Sequence, residues 1–365
     1  MEIAILGYGT VGRSVRAIAE TLPELHVRRI LHRREVPELG DLVTLRPEDV
    51  FRDAAVDTVV ECIGGTDVAR EYVLAALRAG KHVVTPNKNL IAAHDEELRR
   101  CADEHGVTLR YTAAAGGGIP WLYNLRRQAR ADRITAVEGI LNGTCNYILD
   151  AMHREGRSFD DVLRDAQKRG YAESDPSSDI DGLDTLHKCA ISARLAFGVP
   201  AAEDTLPVFG IRAVTDEDIR YFKERDLVCK LFMQAYLTEG GYAAYVCPVL
   251  LPSDHLAAHV PANNNLVSLT GRYSGVMSFY GQGAGGDPTG LSVIEDLLDT
   301  AYGARIDETL YRDQELPLDL DRVKHRYYLR EGKEAILTEP LAPGELVKML
   351  RAKDPCDFFV AEIRE

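Results

Sequence analysis

No two cysteines in this chain are spaced C-x-x-C. The seven present (Cys62, Cys101, Cys145, Cys189, Cys229, Cys247 and Cys356) are odd in number and scattered over 365 residues. Neither a zinc cluster nor a disulfide framework is indicated, and reduced thiols in a cytoplasmic protein are expected. No apolar run approaches the roughly 18–20 residues that span a bilayer. No basic leader precedes the opening MEIAIL, so a soluble protein with no membrane partner is expected. Basic residues are also in short supply, 43 against 57 acidic ones, which leaves a net charge of -14. Such a chain repels phosphate backbones, which argues against nucleic-acid binding. What remains is an ordinary globular composition, 45% hydrophobic and 27% charged, at a length that suits two domains.

The first half carries a dinucleotide-binding pattern. Met1–Leu6 reads as a short buried strand, followed at once by GYGTVG (Gly7, Gly9, Thr10, Val11, Gly12) and then by helical periodicity through Val15, Ile18 and Ala19. Glycines at this spacing provide a tight turn, close approach to a pyrophosphate and close helix-to-strand packing. The helix N-terminus aims free N–H groups at the phosphates. The string alone is a weak signal; its place between a strand and a helix is what gives it weight. Strand patterns recur at His26–Leu31, at Thr58–Ile63 before Gly64 and Gly65, and at Lys81–Thr85, with a helix at Val68–Ala79 between the last two. This alternation predicts an α/β fold with a Rossmann-type doubly wound parallel sheet. Its ligand side, at the carboxyl ends of the strands, takes in Gly64, Gly65, Thr85, Pro86 and Asn87. Arg33 and Arg34 stand where an acid would favour NAD(H), so NADP(H) is favoured and NAD(H) stays open. A merely solvated arginine turn is the alternative.

The middle of the chain offers several candidates, each with an ordinary reading beside it. Lys88 is either an exposed lysine or a proton carrier at a strand's carboxyl end. YTAAAGGGIP (Tyr111–Pro120) is either a domain hinge or backbone left uncovered for a ligand or cation. In VEGILNGTCNYIL (Val137–Leu149), Thr144 either caps a helix or presents its hydroxyl and amide to a substrate carboxylate. In YAESDPSSDIDGLDTLHK (171–188), Pro176 interrupts any helix, and Ser178 or Asp179 is expected to cap one running from Ile180 to Phe197. Asp181, Asp184 and Lys188 would then share a face, as a surface ion pair or as a site.

Taken in order, VVECIGG, TPNK, AAGGGIP, EGILNGTCNYIL, GYAESDPSSDIDGLDTLHK and GQGAGGDPTGLSVIEDLLD resemble homoserine dehydrogenase. The resemblance implies reversible reduction of L-aspartate 4-semialdehyde to L-homoserine with NADPH or NADH, a step toward threonine and methionine. It implies Glu173 and Asp179 on the substrate's polar groups, with Gly143, Thr144 and Tyr171 in the same pocket. Lys188 would be the main acid–base, assisted by Lys88 and oriented by Asp184. The chemistry suits these residue types: hydride addition leaves an alkoxide that needs positive charge and then a proton, and a buried lysine supplies both. The implied fold has a dinucleotide domain (1–130), an α+β substrate and dimerisation domain with a mixed sheet (131–300), a return segment (301–320) and a homodimer. Two readings stand beside it: another NAD(P)-dependent amino-acid or semialdehyde dehydrogenase on the same scaffold, and a non-catalytic dinucleotide sensor.

The sequence departs from the family pattern at three places. Thr112 stands where relatives often carry a glutamate that helps hold a monovalent cation, leaving only the carbonyls of Ala115 and Gly117 for Na+ or K+. Gly290-Leu291 replaces an alanine-rich continuation near the cofactor. The tail (321–365) reads as a β-β-α-β fragment, too short for the usual regulatory domain. A structural role and no strong feedback by threonine are expected.

Overall fold

A computed structural model describes residues 1–304 and 316–364, in two compact units. The first contains Met1–Tyr123 and the segment starting at Ala284; the second contains Asn124–Gly283 and the chain from 316 onward.

Among the described residues, six short strands form the sheet of the first unit: β1 (Glu2–Leu6), β2 (His26–Leu31), β3 (Val43–Thr44), β4 (Thr58–Glu61), β5 (His82–Val84) and β6 (Leu109–Arg110). They lie in the order β3-β2-β1-β4-β5-β6, every neighbouring pair parallel. Their apolar runs are buried, as strands covered by helices on both faces must be. The order reverses between β1 and β4, which opens a ligand crevice at their carboxyl ends. The segment from Ala284 was expected within the second domain, up to residue 300. Its helix, Gly286–Ala301, belongs instead to the first unit. Packing explains the difference, because Val293, Ile294 and Leu297 join Ile3, Ile5 and Val15 in one apolar core. A Cβ on Gly290 would stand 2.8 Å from the Cβ of Ser14, so the departure at this position lets the helix press against Thr10–Ala19. Most of the return segment expected at 301–320 lies outside the described residues.

In the second unit β7 (Ile134–Ile140), β8 (Leu227–Thr238), β9 (Gly241–Pro252), β10 (Asn265–Gly271), β11 (Gly275–Gly281), β12 (Arg326–Glu331), β13 (Glu334–Leu337) and β14 (Phe358–Ile363) form one sheet, in the order β11-β10-β7-β8-β9-β14-β12-β13. Among the described strands only β9 and β14 pair in parallel, so the sheet is mixed. Helices Gly143–Glu155 and Leu183–Phe197 pack on it. The tail forms β12, β13, the helix Pro343–Leu350 and β14. Glu362 of β14 is fully buried and accepts hydrogen bonds from Gln234 Nε2 at 3.0 Å and Tyr245 OH at 2.9 Å. Among the described residues no helix is long and apolar enough to cross a membrane.

Candidate active site

The glycine turn follows β1 directly. A Cβ on Gly7 would stand 2.5 Å from the carbonyl oxygen of Cys62, and one on Gly12 would stand 2.2 Å from that of Gly7. Gly9 has nothing within 4 Å of its missing Cβ and caps the helix Thr10–Ala19 without a side chain. The outer glycines are thus required by the protein's own packing, and the middle one leaves the first-turn N–H groups open. A dinucleotide pyrophosphate fits this cradle. Arg33 and Arg34 are exposed just after β2 and make no hydrogen bond or ion pair among the described residues.

One residue organises the other cofactor-side turns, and it was not singled out from the sequence. Glu61, the last residue of β4, is fully buried. Its Oε1 accepts the N–H groups of Ile63 and Gly64 at 2.7 and 3.1 Å, and its Oε2 accepts the Thr85 hydroxyl at 2.6 Å. Thr85 Oγ1 in turn accepts the Asn87 N–H at 3.0 Å, and Asn87 Nδ2 donates to the Gly65 carbonyl at 2.8 Å. The Gly64-Gly65 turn and the Thr85-Pro86-Asn87 turn are therefore one hydrogen-bonded assembly. Asn87 also caps the helix that begins at Lys88. An acid inside the apolar run TVVECI was the available signal, since a buried carboxylate must find donors.

The helix expected to run unbroken from Ile180 to Phe197 is divided in the structure. A short helix, Ser177–Ile180, ends at a turn where Gly182 has φ 85°, and a second helix runs Leu183–Phe197. The left-handed turn is one that glycine adopts freely, and it takes Asp181 off the face of Asp184 and Lys188. Asp181 pairs instead with Arg212, at 2.6 and 2.7 Å. Asp184 and Lys188 are buried, 7% and 8% exposed, so the surface ion-pair reading is overturned. Lys188 Nζ donates to Asp184 Oδ2 at 2.7 Å and to the Leu141 carbonyl at 2.7 Å.

Asn142 ties this pair to the preceding turn. Its Nδ2 donates to Asp179 Oδ1 at 2.7 Å and to Asp184 Oδ2 at 2.8 Å, and its Oδ1 accepts the Cys145 N–H at 2.8 Å. Asn142, not Thr144, is therefore the helix cap. The Thr144 hydroxyl donates to the Tyr171 carbonyl at 2.6 Å, so its proton is committed within the protein. Tyr171 meets Tyr147 edge-on at 5.1 Å. Glu173 is exposed, and its carboxylate makes no hydrogen bond among the described residues. Lys88 is carried by the first unit, and Asp179, Asp184 and Lys188 by the second.

Burial raises the Asp179 carboxyl above its ordinary value of 3.8; Asn142 opposes that shift and the nearby Asp184 charge adds to it. The native state then holds the proton more tightly than the unfolded chain. Asp179 thus contributes stability that is present below the unfolded value and is lost as pH rises through the raised one. Urea denaturation of Asp179→Asn against wild type is expected to show a difference that grows from acid to neutral pH in the variant's favour. A difference constant with pH would contradict the assignment.

A glycine-turn dinucleotide sheet, joined in one chain to a buried lysine held by a carboxylate and a backbone carbonyl, defines a nicotinamide-dependent oxidoreductase. Family models described as homoserine dehydrogenase, NAD binding domain, and as homoserine dehydrogenase match residues 7–112 and 120–298. The chain belongs to the homoserine dehydrogenase family. It is 38% identical to the Pseudomonas aeruginosa homoserine dehydrogenase, over 90% of this chain and 81% of that one, and 38% identical to the Bacillus subtilis enzyme over 85% and 75%. A solved homoserine dehydrogenase from Thiobacillus denitrificans superposes with a TM-score of 0.89 at 31% identity, covering 100% of this chain and 98% of that one. A hyperthermophilic archaeal homoserine dehydrogenase solved with NADPH gives 0.71 at 25% identity, over 83% and 98%. Neither a different dehydrogenase nor a non-catalytic sensor is favoured by these relationships.

Proposed function

We propose that the chain interconverts L-homoserine and L-aspartate 4-semialdehyde with NADP(H) as preferred cofactor and Lys188 as acid–base. The observation that carries this is the buried Asp184–Lys188 pair, completed by Asn142 and the Leu141 carbonyl. When bound, the nicotinamide supplies or accepts the hydride. In the reductive direction Lys188 stabilises the developing alkoxide and passes it a proton, while Asp184 holds the ammonium in place. Lys88 is the assisting lysine of this reading. Glu173, exposed and unengaged, meets the substrate ammonium, and Asp179 takes a second polar group. The N–H groups at Gly143 and Thr144, opening a helix, receive the substrate carboxylate; the Thr144 hydroxyl does not donate to it. Tyr171 forms a wall beside Thr144.

Gly9, Thr10, Val11, Gly64 and Gly65 line the cofactor cradle, with Arg33 and Arg34 placed for a 2′-phosphate. The NADPH-bound archaeal relative supports that choice. Homoserine oxidation assayed with NADP and NAD tests the function and the preference together. Replacing both arginines with alanine is expected to raise the KM for NADP by about tenfold or more and leave that for NAD nearly unchanged, because charge-assisted bonds to phosphate are lost. Equal effects on both cofactors would remove the arginines from this role. Absence of turnover with either cofactor in the wild type would defeat the function itself.

A monovalent cation at the glycine loop would be held by neutral oxygens. The Gly117 carbonyl already accepts the Ser292 hydroxyl at 2.7 Å, Ala115 is buried, and the Thr112 N–H donates to Asp296 Oδ2 at 2.9 Å. Replacing Na+ and K+ with choline in the assay decides whether either is needed. A homodimer accords with β11, an edge strand that leaves Val276 and Tyr280 exposed; light scattering at one chain mass would overturn it. The tail's integration into the sheet supports a structural role, so L-threonine is expected to leave turnover unchanged. A titration that suppresses the rate would contradict this.

A further inference from the structure

Lys230, in β8, is wholly buried and takes no part in the site above. Its Nζ donates to Asn146 Oδ1 at 2.9 Å and to the Val260 carbonyl at 2.8 Å, with Asp150 Oδ1 at 3.6 Å. Asn146 commits its own amide to the same loop, where Nδ2 donates to the carbonyls of Val260, Ala262 and Asn264 at 3.2, 2.8 and 3.1 Å. Asp150 Oδ2 completes the ring by accepting the Ala262 N–H at 2.9 Å. The loop so held is strained: Ala262 has φ 50°, a left-handed conformation that residues other than glycine avoid. It also presses on the site, since a Cβ on Gly143 would stand 2.6 Å from the carbonyl oxygen of Asn263. Gly143 follows Asn142, which binds Asp179 and Asp184, and Leu141, whose carbonyl takes Lys188.

We propose that Lys230 is a positioning residue for the reaction: it fixes the loop 260–264, the loop fixes residues 141–143, and these set the geometry of Asp184 and Lys188. The proposal rests on the reading of Lys188 as the acid–base. A sheet interior has no need of an ammonium for packing, and desolvating one is costly unless its bonds are used. Burial pulls Lys230 down to about 8, against the opposing pull of Asp150. The other ionisable groups around it are His153 and Arg154 on the Gly143–Glu155 helix, Lys223 beyond His153 and Cys229 on its own strand; β9 places Val249 opposite. Loss of its proton turns charge-assisted bonds into weaker neutral ones, so the loop loosens on the alkaline side.

The test compares wild type with Lys230→Met, which keeps the stem and removes the donors. Homoserine oxidation is followed from neutral to alkaline pH, together with hydrogen exchange of the amides in 141–146 and 260–264. The expected result is a kcat lowered by about ten- to a hundredfold and a homoserine KM changed far less. An alkaline limb seen in the wild type should be absent from the variant, and protection should be lost in both segments. A variant that keeps kcat, the wild-type pH profile and protection of 141–146 would overturn the proposal. If Lys230→Met fails to fold, Asp150→Asn is used: it should move the alkaline limb to lower pH, and an unmoved limb overturns the proposal. Inactivity of the wild type on homoserine would instead indict the functional reading, and exchange protection would still decide whether Lys230 positions 141–146.

Discussion

Lys188→Met should lower kcat for homoserine oxidation by about a thousandfold while the protein stays folded, since positioned acid–base groups contribute roughly 10²–10⁴-fold. Methionine keeps the unbranched stem in a place where the lysine is only 8% exposed. Breaking a buried ion pair normally leaves an orphaned charge costing about 3–5 kcal/mol. Here the Asp184 carboxylate retains the Asn142 amide at 2.8 Å, so the loss of stability should fall below that range. Far-UV circular dichroism and thermal melting establish the fold, and steady-state kinetics with saturating cofactor give kcat. Asp184→Asn is the matched control: it keeps the shape and loses the charge that orients the ammonium, so its kcat should fall less. If Lys188→Met kept kcat within a few-fold of wild type with an unchanged melt, the proton would have to travel through another group, and Lys88 would be the first to examine.

The second large effect separates two glycines three residues apart. Gly9→Val should fold with near-normal stability and lose dinucleotide affinity by about a hundredfold or more, the equivalent of one to two charge-assisted hydrogen bonds. Its backbone, φ -84° and ψ -154°, is extended and not left-handed, and its missing Cβ faces open space. The added side chain would stand in the cradle the pyrophosphate needs. Gly12→Ala should behave oppositely, as a folding defect, because its Cβ would lie 2.2 Å from the Gly7 carbonyl oxygen. Such overpacking against backbone costs about 1–3 kcal/mol or more, visible as a lower melting temperature before any ligand is added. Calorimetric titration with NADP and NAD measures the first effect. Undiminished binding by Gly9→Val would show that the pyrophosphate does not approach there.

The alternation of strand and helix from Met1 to Thr85 was legible because its signal is local. A buried strand, a glycine turn and an amphipathic helix each announce themselves within a dozen residues, and parallel connections follow from their order. The mixed second sheet was legible only through the resemblance. Its strands are joined by long-range pairings such as β10 to β7 and β14 to β9, which no local pattern encodes. The helix break at Gly182 was missed because the Asp-Gly pair was read within a helical period, while its left-handed turn is enforced from outside by Arg212 on Asp181 and by the 207–211 segment packed against it.

The sequence by itself determined the dinucleotide turn, the family and the residue types able to move a proton, because these depend on spacing along the chain. Only the tertiary structure decided that Lys188 and Asp184 are buried partners and not a surface pair, that Asn142 and not Thr144 is the cap, that Glu61 ties its own turn to the one at Thr85, and that Lys230 bonds the loop at Val260. Burial and hydrogen-bond partnership are properties of space, and the groups that supply them here come from 24 residues away for Thr85 on Glu61, 42 for Asn142 on Asp184 and 84 for Lys230 on Asn146.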